Sequence, residues 1–162
     1  MAETLNITQG ADKAEIYRDI LPQLEAVMHA TTDIVANMAN AAAVLKAVFH
    51  FHWVGFYRVL QPELLTLGPF QGPLACVDIP FSKGVCGKAA RDRATVIVPD
   101  VGAFPGHIAC SSLSKSEIVV PGVVDGRTVF VLDVDSDKLN DFDDVDREWL
   151  EKIVAAVIVA SH

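Results

Sequence analysis

Apolar side chains recur every three or four residues between positions 12 and 48. Ile16, Ile20, Leu21, Leu24 and Met28 make one stripe, headed by Asp12, a residue suited to capping a helix. Ile34, Met38, Ala41, Leu45 and Val48 make a second, headed by Thr31-Thr32-Asp33. Two amphipathic helices are predicted. Pro22 leaves the first as either one kinked helix or two short ones. Residues 1–10, polar and without periodicity, read as a flexible tail, and residues 11–162 as a single domain.

The period then changes. His52 to Val59 is aromatic and β-branched, with Trp53, Gly55 and Tyr57 on one face and Val54, Phe56 and Arg58 on the other. A turn at Leu60–Glu63 leads to a second strand over Leu64–Phe70. A short strand follows at Val77–Phe81, then a short helix over Gly84–Asp92 and a strand over Thr95–Val98. Val101 to Ser116 is a long loop, the kind of segment that often carries function. Glu117–Val124 and Thr128–Val134 read as a hairpin turned at Asp125-Gly126. A helix over Asp141–Ala160 closes the chain, with Trp149, Leu150, Ile153 and Val157 inward. Adjacent hairpins imply a largely antiparallel sheet with the terminal helices on one face, an α+β domain.

Composition narrows the function. Twenty-one acids against 13 Lys and Arg give a net charge of −8, which disfavours nucleic acid and anionic lipid as partners. No apolar run is long enough to span a membrane, and the polar start does not resemble a signal peptide, so a cytoplasmic protein is expected. The 3 cysteines are an odd count and contain no CxxC pair, which argues against a disulfide scaffold and against the usual zinc spacing. No metal and no organic cofactor is expected.

The candidate chemistry lies at loop-to-strand junctions. Cys110 sits in the long loop, and Glu117 follows at the head of an apolar run. Cys76, Cys86 and Cys110 all lie in glycine- or serine-rich turns, which favours accessible thiols. Cys86, near the start of a helix, is placed where backbone N–H groups favour a thiolate. His107 is placed either to lower the pKa of Cys110 or to brace the turn. In the last strand Val129, Val131, Asp133 and Asp135 share a face, so two carboxylates extend an otherwise buried row. Trp53 and Tyr57 flank Gly55, and the pair predicts either a slot for a small ligand or plain core packing. Asp133, Asp135 and Asp137 suggest an EF-hand, but Lys138 and Asp144 stand where its glycine and glutamate are required.

Several segments together resemble the free methionine-(R)-sulfoxide reductases, a catalytic branch of the GAF fold. They are Trp53–Tyr57, Leu67–Gly72, Ala75-Cys76, Gly84–Gly87, Val98–Val101, Phe104–Cys110, Ser116–Pro121 and Val131–Ser136. The resemblance spans about residues 12 to 160. It implies a six-stranded antiparallel sheet, a homodimer, and reduction of the R-sulfoxide of free methionine with electrons from thioredoxin. By motif it makes Cys110 the nucleophile, Cys76 the cysteine that resolves it, and Cys86 the third family cysteine, which can also pair with Cys110. Trp53 and Tyr57 match pocket aromatics; Glu117, Asp133 and Asp135 match carboxylates that hold and activate substrate. Ser111 stands where the family commonly has Asp, and Phe130 where it often has Gly. Phe130 is expected to face away from the carboxylate row.

The residues agree with that chemistry. Buried carboxylates can take the ammonium of a free amino acid, and aromatic rings can wall in its methyl group. A thiolate attacks sulfur, and a carboxyl of raised pKa gives the oxygen its proton. The resulting sulfenic acid condenses with a second thiol to a disulfide. A non-catalytic GAF domain sensing a small ligand is the alternative, and it predicts binding without turnover.

Overall fold

The strands form one six-stranded antiparallel sheet in the order β3-β2-β1-β6-β5-β4. The computed structural model describes residues 4–108 and 110–162. β1 is Trp53–Gln61, β2 Leu64–Gln71, β3 Asp78–Pro80, β4 Val96–Val98, β5 Ser116–Val124 and β6 Arg127–Ser136. The helices are α1 at Lys13–Met28, α2 at Ile34–Phe49, α3 at Gly84–Asp92 and α4 at Asp144–Ala160.

Local chemistry explains the boundaries. Asp12 accepts from the Glu15 amide while the Glu15 carboxylate receives the Asp12 amide, a reciprocal cap that starts α1. Asp143 and Asp146 do the same for α4, which therefore begins later than the acidic run suggests. Pro22 leaves α1 as one helix. It lies on the exposed side of the helix, as does Arg18, whose carbonyl it cannot bond. Asp125 and Gly126 both take positive φ, 50° and 73°, closing the β5–β6 hairpin as their sequence predicts. Asn6 and Thr8, in the segment before α1, hydrogen-bond to Gln23 and Asp19.

The sheet separates two cores. Val54, Phe56, Ile118, Val120, Leu132 and Val134 pack against α1, α2 and α4. Phe130 belongs to this side, away from the acids, as expected. The other face carries Trp53, Tyr57, Val119 and Val131, covered by α3. Strand parity thus decides which core each side chain joins.

Candidate functional site

Register brings the chemistry together on the α3 side. Trp53 of β1 pairs with Asp135 of β6, and Asp135 with Glu117 of β5. One row along, Gly55 pairs with Asp133, and Asp133 with Val119. Three carboxylates from two strands therefore share one face beside the aromatic pair. α3 supplies Cys86 and Val85, the segment after β2 supplies Ala75, and the loop before β5 supplies His107, Ile108, Cys110 and Ser114. Together they line a cavity of about 40 Å³.

The aromatic pair builds the floor but not as a slot. A methyl group on Gly55 would meet Trp53 Cη2 at 2.5 Å, so the indole itself lies over the glycine. It stacks on Phe70 and Tyr57, with ring centres 5.4 and 5.8 Å away. Trp53 thus fills the space over Gly55, and of the two readings of the pair core packing holds there. Both polar tips hold the next segment: Trp53 Nε1 donates to the Pro73 carbonyl at 3.1 Å and Tyr57 Oη to the Cys76 carbonyl at 3.1 Å. The rings serve the cavity and position a cysteine.

Cys76 and Cys110 are joined in a disulfide, with Cα atoms 5.5 Å apart. Cys86 is free and 3% exposed. Its expected accessibility and thiolate character are both corrected here. α3 turns Cys86 inward with Val85 and Ala89. Burial, followed by the charges of Asp133 and Glu117, pushes its thiol pKa well up and overrides the helix N-terminus. The turn composition around Cys86 reflects close packing of α3, not exposure.

The acids are equally displaced. Glu117 is 5% exposed and Asp133 6%. Burial raises Glu117, Asp133 and Asp135 well above the ordinary carboxylate range, and each is pushed further by a neighbouring acid. A hydrogen bond from Ser114 works the other way on Asp135. Cys86 Sγ donates to Glu117 Oε1 at 3.9 Å. Asp133 Oδ1 is buried without a hydrogen-bond partner. Groups this close take up protons as a set.

The His107 ring faces Glu117. Its Nε2 lies 3.5 Å from Glu117 Oε2, and burial lowers its pKa, so a neutral ring meets the acid. Sequence reasoning missed His52, whose Nε2 is 2.9 Å from Ser111 Oγ and ties the residue after Cys110 to the start of β1. Nothing in the chain pattern signals a contact across 59 positions. Ile108, Ile79 and Leu74 supply apolar walls that were likewise unread.

The GAF domain profile matches residues 24–160. GAF domain-containing protein A of Dictyostelium discoideum is 53% identical, over 95% of this chain and 97% of its own length. The free methionine-R-sulfoxide reductase of Saccharomyces cerevisiae is 40% identical, over 96% of this chain and 91% of its own. An X-ray structure of the free methionine-R-sulfoxide reductase from Neisseria meningitidis, in complex with its substrate, superposes with a TM-score of 0.94. It is 52% identical and covers 98% of this chain and 95% of that one. With its paired cysteines beside Glu117, Asp133 and Asp135 on a GAF sheet, the chain belongs to the free methionine-R-sulfoxide reductase family.

Proposed function

We propose that the protein reduces free methionine (R)-S-oxide to methionine. One observation carries the reading: Cys110, bonded to Cys76, lines the same cavity as Glu117, Asp133 and Asp135. Reduction of a sulfoxide needs a sulfur nucleophile and a proton for the departing oxygen, and those are the two kinds of group assembled here. In the reduced protein, Cys110 thiolate attacks the substrate sulfur. A carboxyl of Glu117, Asp133 or Asp135 gives its proton to the sulfoxide oxygen, a task suited to acids held above the ordinary carboxylate range.

Methionine leaves with its sulfur reduced, and Cys110 carries the oxygen as a sulfenic acid. Cys76 thiol attacks that sulfur, releasing water and forming the disulfide. The geometry favours Cys76 as the resolving partner, since it is bonded to Cys110 while Cys86 is turned to Glu117. Dithiol exchange with a thioredoxin-class reductant returns both thiols. The carboxylate set also suits the ammonium that marks a free amino acid, and Trp53 and Tyr57 wall in its methyl end. A homodimer belongs to the same proposal. α2 directs Val35, Ala39, Ala43 and Ala47 outward in an uncharged row that a second copy would cover.

The test is methionine release from each sulfoxide epimer and from a peptide, with a thiol reductant. Cys110→Ser should abolish turnover. Cys76→Ser should release about one methionine per chain and then slow, the mark of a trapped sulfenic acid. Full activity in Cys110→Ser would remove the nucleophile and the mechanism with it.

A further inference from the structure

Cys86 takes no part in the disulfide, yet its sulfur is held in the cavity. Among the described residues, Cys86, Glu117 and Asp133 are the one cluster of three or more potential metal-ligating side chains. Their Sγ and carboxylate oxygens lie within 4.8 Å of one another. Each comes from a different element, α3, β5 and β6, so the rigid frame of the domain sets their spacing. His107 Nε2, 3.5 Å from Glu117, adds a nitrogen at the same place.

Acids gathered around a thiol do not by themselves call for a ligand; two further observations do. Asp133 Oδ1 is buried, on a side chain lining this cavity, and has no donor to meet it. Leaving such an acceptor unpaired is unfavourable, the more so when it is charged. The second observation is size. With the disulfide formed the cavity holds about 40 Å³. One water position takes roughly 10–15 Å³, so the space admits an ion with a water or two.

We propose that the disulfide form binds one zinc-class divalent cation between Cys86 Sγ, Glu117 and Asp133, with His107 within reach as a fourth ligand. Sulfur and imidazole beside carboxylate select a borderline cation such as zinc or cobalt over magnesium or calcium, which take oxygen alone. On binding, the Cys86 S–H bond is replaced by a sulfur–metal bond and the proton passes to solvent. No group changes oxidation state.

The test uses cobalt(II) and the full chain with its disulfide intact, a state with one remaining thiol, Cys86. The expected result is a thiolate-to-cobalt charge-transfer band that saturates at one equivalent, is displaced by zinc, and is untouched by magnesium. Cys86→Ser should lose the band. Asp133→Asn should keep the sulfur yet weaken binding by at least about tenfold. A protein that shows no band, shows one only after the disulfide is reduced, or binds cobalt equally well as Asp133→Asn overturns the site. If Cys86→Ser does not fold, the unmodified chain and Asp133→Asn still decide. Turnover is not read, so this result and the reductase assay fail or succeed independently.

Discussion

Asp133 illustrates the conflict a reactive pocket creates at a single residue. Its carboxyl is buried, neighbours Glu117, and leaves one oxygen unpaired. Burial and the adjacent acid raise its folded pKa above the unfolded value of about 3.9. The folded chain therefore holds more protons than the unfolded one across that interval. Stability from this group is fully present below the unfolded pKa and is lost as pH rises through the folded one. At neutral pH the acid works against folding. Asp133→Asn keeps the shape, removes the charge and offers donors to Glu117. It is expected to gain about 0.5–2 kcal/mol at neutral pH, with the gain vanishing near pH ~4, while turnover falls about a hundredfold or more. Thermal denaturation at the two pH values, beside the methionine assay, checks it. A variant less stable at neutral pH would contradict this account of the acid.

Between elements, a polar staple joins the two ends of the chain. Tyr17 of α1 donates to Asp146 Oδ1 of α4 at 2.9 Å, and Lys13 reaches Asp146 Oδ2 at 2.7 Å. Tyr17 and Asp146 are wholly buried, and burial, opposed by Lys13, raises the Asp146 pKa. Removing one hydroxyl leaves that oxygen short of a donor, so Tyr17→Phe should cost about 1–3 kcal/mol. Chemical denaturation measures the loss. Because this staple lies on the helical side of the sheet, away from Cys110, kcat should hold where the variant remains folded. The helices themselves were legible: stripes of Ile and Leu predicted α1, α2 and α4, and Asp12 and Asp33 marked two starts. The staple was not, because Tyr17 and Asp146 are 129 positions apart and neither sits in an unusual local context.

For the molecule as a whole, the disulfide decides both shape and stability. It closes a loop of 34 positions containing β3, α3 and β4. Restricting the unfolded chain by that span is worth about 3–4 kcal/mol in the chain-entropy account. The oxidised protein is expected to resist urea more than the reduced protein by that amount, measured with and without a thiol reductant. Equal midpoints would mean that pairing strains the fold as much as it constrains the unfolded chain. The bond also ties the Cys110 loop, which lines the cavity beside Glu117, Asp133 and Asp135, to the segment after β2.

Period and parity in the sequence determined the helices, the hairpins and the face of each strand on which a residue lies. These follow from backbone geometry within a few neighbours, so Asp133 and Asp135 could be placed on one row with Val131 before any contact was known. The family motifs named Cys110, Cys76 and Glu117 for the same local reason. Only the tertiary structure decided what those residues meet. Strand register set Asp135 between Trp53 and Glu117, and the packing of α3 buried Cys86 against acids that reverse the effect of its helix terminus. Dielectric environment and cross-strand neighbours are properties of the assembled fold, and the reactivity of these thiols and carboxyls depends on both.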